Sequence, residues 1–156
     1  LVCVQDMIAA LETGRVAKYV TDFPNDTIAT VKNVIAMPHL GASTPESEEN
    51  CARMAADQLK DYLINGNIKN SVNLPNVHQD WSGISRVCLI HKNIPAMLTK
   101  ITTILSDEGV NVENLTNKSK KDYAYTMVDL NGRIKDAVAD ELRSIPGMIR
   151  VRVLNH

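Results

Sequence analysis

The stretch Val87-Cys88-Leu89-Ile90-His91-Lys92-Asn93-Ile94-Pro95-Ala96-Met97-Leu98 joins two kinds of chain. Val87 to Ile90 is an apolar run short enough for a buried strand. From Pro95 to Asp107, Met97, Leu98, Ile101, Ile104 and Leu105 recur at three- and four-residue spacing, which predicts a helix with one buried face. Working outward, Asn111-Val112-Glu113-Asn114-Leu115 reads as a second strand and Tyr123 to Leu130 as a third. The polar turn Lys118-Ser119-Lys120-Lys121-Asp122 joins them. Ile134, Ala137, Val138, Leu142 and Ile145 mark a second helix, and Met148 to Leu154 alternates as a final strand. Tyr123 and Tyr125 share one strand face, where sheet packing accounts for them better than ligand stacking.

This β-α-β-β-α-β order is the split, ferredoxin-like arrangement. Two helices should cover one face of its sheet and leave the other open, so a partner is expected to cover that face or extend an edge. The segment resembles the ACT domain, a small module that senses amino acids, through Ile90-His91-Lys92-Asn93-Ile94-Pro95 and Glu108-Gly109-Val110-Asn111. The resemblance implies an effector site between two copies, for L-serine in the serine-inhibited dehydrogenases. His91 and Asn93 would hold the effector from one subunit and Asn111 would reach it from the other. The first-turn amides of the helix lack internal partners and can take a carboxylate, and an asparagine carbonyl can accept from an ammonium group. Without the resemblance, His91 ends a strand, Asn93 caps a helix and Asn111 is a turn residue. Ala96 stands where the family usually has Gly, which permits closer approach.

Upstream, Val34-Ile35-Ala36-Met37 is another short apolar run, ended by Pro38. His39 thus follows a strand end, where ligands of open α/β sheets bind and where an imidazole can act as general acid or base. Read alone, a histidine after a proline is more often a loop or packing residue. Gly41 lets backbone approach a ligand. Thr44-Pro45-Glu46 supplies an N-cap, a first helical residue and a dipole-favoured acid. Cys51, Met54, Ala55, Gln58, Leu59 and Tyr62 then line one helix face up to Asn65-Gly66.

Pro38-His39-Leu40-Gly41-Ala42-Ser43-Thr44 with Glu46 resembles the catalytic-histidine segment of the D-2-hydroxyacid dehydrogenases, most closely their phosphoglycerate-oxidising branch. Met7 to Glu12 and Lys18 to Pro24 resemble the last helix and strand of that family's nucleotide domain, and Ser71-Val72-Asn73-Leu74-Pro75 the exit from it. The resemblance implies that His39 exchanges a proton with substrate and that Asp26, where the family more often has Glu, tunes it. It places Gly41 and Asp22 on the NAD side. The G-x-G-x-x-G loop that cradles the dinucleotide is absent, as is the family's substrate-binding arginine. Residues 1–70 therefore read as the C-terminal remnant of a Rossmann-type domain, 71–83 as a linker and 84–156 as the ACT domain. In the linker Trp81 should pack on a neighbouring surface and His78 should be solvated. Leu1 suggests a cut chain, inactive by itself, and Leu1 to Asn33 should expose apolar surface that promotes association.

Composition agrees with an α/β protein of one domain or two small ones: 156 residues, 44% apolar, formal charge −1. That charge gives no pull toward nucleic acid or membrane. No apolar run approaches the roughly 20 residues of a membrane span. Cys3, Cys51 and Cys88 have no metal-ligand pairing and read as reduced residues of a cytoplasmic protein. Three functions compete. One is the C-terminal part of an NAD-dependent hydroxyacid dehydrogenase of serine biosynthesis, homo-oligomeric and feedback-inhibited by L-serine. The others are a free amino-acid-binding module and a dimerisation unit without an effector site.

Overall fold

The computed structural model describes residues 2–155. Two compact units meet within one helix, residues 1–54 and 55–156. In the first, α1 (Val4–Glu12) precedes β1 (Tyr19–Thr21), α2 (Asp26–Ala29) and β2 (Val34–Ala36). The strands run parallel, pairing Tyr19 with Val34 and Thr21 with Ala36. Asn25 caps α2 by accepting from the Ile28 amide at 3.0 Å. Leu11 and Ile28 are buried, whereas Val20, Phe23, Ile35, Met37 and Leu40 are exposed. Parallel sheets are normally covered on both faces; Val20 and Phe23 fall within the Leu1 to Asn33 segment expected to expose apolar surface, while Ile35, Met37 and Leu40 lie beyond it.

The helix α3 (Pro45–Asn65) starts and stops where the sequence places its ends. Thr44 Oγ1 accepts from the Ser47 amide at 3.2 Å. Gly66 leaves the helix at φ +78°, and a Cβ there would lie 2.4 Å from Cys88 Sγ, so glycine is required twice over.

In the second unit β3 (Ser85–Lys92), α4 (Met97–Asp107), β4 (Val112–Lys120), β5 (Tyr123–Leu130), α5 (Asp136–Ser144) and β6 (Met148–Asn155) give the expected β-α-β-β-α-β order. The sheet order is β4-β5-β3-β6, antiparallel throughout. Strand alternation sends Val87, Leu89, Val128 and Leu130 to one face, where Met97, Ile101, Leu105, Val138 and Leu142 from the two helices bury them. Each such side chain contributes about 1.5–3 kcal/mol when taken out of water. β4 is longer than its sequence suggests, and the turn shrinks to Lys121-Asp122, with Lys121 at φ +56°. Pairing with β5 overrides the turn chemistry of Lys118-Ser119-Lys120.

The second face is not open, contrary to the expectation. The segment from Gly66 to Gly83 lies on it as a strap. Ile68 and Val77 exchange both backbone hydrogen bonds, at 2.8 and 2.9 Å, and pack on Cys88, Tyr125 and Met127. Tyr125 donates to the Gly66 carbonyl at 2.6 Å. Trp81 sits over the Arg86 guanidinium at 4.6 Å, while His78 is exposed beside Asp80. Isolated apolar residues among Asn, Pro and Ser carry no period, which is why the strap reads as a linker.

Arg86 fastens the strap, and sequence reasoning missed it. Fully buried, it holds Asp129 of β5 through Nε at 2.5 Å and Nη2 at 2.7 Å. Its remaining donors reach the carbonyls of Asn65 at 2.7 Å, Gln79 at 3.0 Å and Asp80 at 3.0 Å. All five N–H donors are thereby used. Ser82 adds its amide and hydroxyl to Asp129. Burial alone would raise the Asp129 carboxyl; the Arg86 hydrogen bonds and charge overcome it and hold that carboxyl below its usual range. Arg152 of β6 donates to the Tyr62 and Leu63 carbonyls, so two arginines of the sheet cap the last turn of α3.

Candidate functional sites

The first site lies where the two parallel strands end together. Thr21 and Ala36 are register partners, and the Met37 amide continues the ladder by donating to Thr21 O at 2.9 Å. Just beyond, His39 Nδ1 lies 3.2 Å from Asp22 Oδ2. The edge of the Phe23 ring meets the imidazole at a centroid distance of 5.7 Å and an interplanar angle of 77°. Asp26, the acid expected to tune His39, instead opens α2 as its first-turn acid. Asp22, expected on the NAD side, is the acid that pairs with His39. Gly41 has open space where a Cβ would stand, and its carbonyl accepts from Ser47 Oγ at 3.0 Å, fixing the loop into α3. The site therefore offers an accessible imidazole with a carboxylate on one ring nitrogen, the elements of acid–base chemistry. Nothing in the residues present makes a dinucleotide cradle. Gly14 and Gly41, the glycines of this unit, stand too far apart for one glycine-rich turn. A nicotinamide cofactor would need its phosphates held by residues other than these.

The second site is the β3 to α4 loop. His91 is 2% exposed and sits at a register shift between β3 and β6. Its Nδ1 donates to Lys92 O at 2.8 Å, and Nε2 lies 2.8 Å from Thr126 Oγ1, which in turn lies 2.8 Å from Asn117 Oδ1. The imidazole is thus tied into β5 and β4 rather than pointing to water. Asn93 is exposed, with its amide nitrogens donating to Asp122 O at 2.8 Å and Lys121 O at 3.2 Å. α4 starts at Met97, two residues later than its pattern suggests, and no side chain caps it. Its first-turn amides face the loop unclaimed by any cap. Ala96 holds φ +63°, ψ 9°, the left-handed region where glycine is favoured. Its methyl therefore costs backbone strain at the position where the ACT family usually has Gly.

Asn111 is exposed and stands at the other end of the sheet. The β4–β5 and β5–β3 registers align Val112 with Leu130 and Ser85, whereas Lys92 aligns with Tyr123 and Lys120. The Asn111 amide donates to Asn131 Oδ1 at 2.9 Å. One chain brings His91 and Asn93 together and leaves Asn111 apart.

No family profile matches the chain. It is 32% identical over 124 residues to D-3-phosphoglycerate dehydrogenase of Escherichia coli K12, covering 78% of this chain and 30% of that protein. Against D-3-phosphoglycerate dehydrogenase 2 of Saccharomyces cerevisiae it is 32% identical over 136 residues, 81% of this chain and 28% of the relative. The Dictyostelium discoideum enzyme is 29% identical over 157 residues, 93% and 38%. Among solved structures, the ACT domain of Chlorobium tepidum GTP pyrophosphokinase is similar at a TM-score of 0.40 and 18% identity, covering 45% of this chain and 95% of that one. Among the described residues no helix is long and apolar enough to cross a membrane. The chain spans about a third of the length of these curated relatives, and it is a homologue of the C-terminal region of D-3-phosphoglycerate dehydrogenase.

Proposed function

We propose that this chain is the histidine-bearing and regulatory part of a cytoplasmic, homo-oligomeric D-3-phosphoglycerate dehydrogenase. In the longer protein, His39 serves as the acid–base group for NAD-dependent oxidation of 3-phosphoglycerate, the first step toward L-serine. The ACT unit binds L-serine, and feedback acts through it. The observation that carries this reading is the order of the two sites along one chain: a strand-end histidine with a carboxylate, then a β-α-β-β-α-β unit with uncapped first-turn amides beside Asn93. The uncapped amides suit the carboxylate of an amino acid, and Asn111 of a second copy suits its ammonium group. Inhibition then requires two arrangements of the chain with different serine affinity.

Ala96 and the internally satisfied His91 favour a second reading, an ACT dimerisation unit without a working serine site. Isothermal titration with L-serine, with glycine and L-alanine as controls, separates the two when the mass in solution is measured alongside. Saturable, serine-selective heat from a dimer, lost in Asn93→Ala and in Asn111→Ala, supports the first reading. Absence of heat at about millimolar serine, an affinity of only about 4 kcal/mol, supports the second. Hydride transfer from 3-phosphoglycerate to NAD by this chain alone would contradict the division of labour, because the dinucleotide loop lies outside it.

A further inference from the structure

We propose that the cleft between the end of α3, the strap and β4 binds a small amino acid whose side chain carries a second acidic group, a carboxylate or a phosphate. It lies on the strap side of the sheet, whereas the proposed serine site belongs to the β3 to α4 loop, so the inference stands without that reading. The cleft measures about 370 Å³, the size of a small-molecule site, and Asp61, Asn67, Lys69, His78 and Lys118 are among its walls.

Each wall is held by a different part of the fold. Asp61, near the end of α3, is half-buried, and its Oδ1 accepts from Asn65 Nδ2 at 2.8 Å and from Asn67 Nδ2 at 3.0 Å. Asn67 is 6% exposed and is itself fixed by accepting from the Gln79 amide at 3.1 Å. The second oxygen of Asp61, Oδ2, is left for the cleft. Lys118 comes from β4. Its register partner is Tyr125, on which the strap packs, so strand alternation puts Lys118 on the strap face. Its Nζ reaches the Asn76 carbonyl at 3.3 Å. Lys69 is exposed and follows Ile68, which bridges to Val77. His78 is engaged by Asp80 at 3.3 Å, which leaves the two lysines and Asp61 to set the charge of the cleft.

Among the described residues, Lys69, Lys118 and Asp61 take part in no ion pair. Two cations and one carboxylate thus line a common space and stay beyond ion-pair distance of one another. A simple anion would suit the lysines and meet Asp61 unfavourably; a simple cation would do the reverse. An ammonium group only donates and a carboxylate or phosphate oxygen accepts, so a molecule carrying one ammonium and two acidic groups satisfies all three walls. L-serine lacks the second acid.

The test is isothermal titration of the intact chain with L-glutamate, L-aspartate and O-phospho-L-serine, with glutarate, inorganic phosphate and L-serine as controls. The expected result is saturable heat from at least one of the three acidic amino acids, with every control at least about tenfold weaker; which of the three binds separates carboxylate from phosphate. Asp61→Asn keeps an acceptor for the two asparagine amides and removes the charge, and it should weaken binding about tenfold or more. Lys118→Gln should do the same from an exposed position where the fold is not at stake. No saturable heat from any of the three would overturn the proposal. Glutarate or inorganic phosphate binding as tightly as the best of them would also overturn it, in favour of a plain anion site. Binding unchanged in both variants, or displaced by L-serine, would place the amino acid at the β3 to α4 loop and overturn the assignment to this cleft.

Discussion

Removing the guanidinium that fastens the strap gives the largest single effect expected in this chain. Arg86→Met keeps most of the side-chain volume and deletes all five donors. Asp129 would keep the Ser82 amide and hydroxyl, both at 3.1 Å, but no cation. The carbonyls of Asn65, Gln79 and Asp80 would each lose a charged donor. Breaking a fully buried ion pair by deleting one partner costs about 3–5 kcal/mol, because the other charge stays buried and uncompensated. With a urea m-value near 2 kcal/mol per M, the unfolding midpoint should fall by about 2 M. Trp81 is the sole tryptophan and stacks on Arg86, so its fluorescence reports the strap directly. Its emission should move to longer wavelength in the variant before the sheet unfolds. Arg86→Met combined with Asp129→Leu should recover much of the loss, since an apolar pair of similar volume leaves no orphaned charge. A midpoint shift below about 0.5 M, the scale of an exposed ion pair, would refute the reasoning.

Three further outcomes follow from the same geometry. Ala96→Gly should raise stability by about 1 kcal/mol, because it relieves a left-handed φ of +63° at no cost in contacts; an unchanged or lowered urea midpoint would contradict this. Asp129 has a folded pKa below its unfolded value of about 3.9, so its contribution is complete above that value and is lost as pH falls through the folded pKa. The urea midpoint should therefore be level above about pH 5 and fall below about pH 4, and Asp129→Asn should flatten that acid limb from a lower plateau. A thiol reagent should label the exposed Cys3 and Cys51 quickly and reach Cys88 only on unfolding, since burial both shields that thiol and pushes its pKa up. Rapid labelling of Cys88 in the folded chain would mean that the strap opens readily.

The regular elements were legible because each carries a period or a cap. Thr44-Pro45 and Asn65-Gly66 set the ends of α3, and the run from Tyr123 to Leu130 coincides with β5. The strap was not legible, since Ile68, Leu74 and Val77 are apolar points in polar chain and their partners are long-range. Arg86 and Asp129 did leave a signal. Asp129 is the one charged residue of β5 and Arg86 stands directly before the apolar run Val87 to Ile90, and a charge buried at such a place needs a partner. At the first site, sequence placed His39 after a strand and assigned Asp26 to it, whereas the contact in the structure is with Asp22, because which acid lies beside the ring depends on how β1 and β2 align. At the second, it marked His91, Asn93 and Asn111 without revealing that His91 is bound into the sheet by Thr126.

The proposed serine site needs a second copy to complete it, since one chain holds Asn93 and Asn111 at opposite ends of its sheet. The most direct measurement is serine binding by a mixture of two variant chains, Asn93→Ala and Asn111→Ala, unfolded together and refolded. Each variant alone should bind no serine. Random pairing in a symmetric dimer restores one intact site per heterodimer, so the mixture should recover about a quarter of the parent's sites. Full binding by either variant alone, or no recovery in a mixture shown to contain heterodimers, would contradict a site shared between two chains.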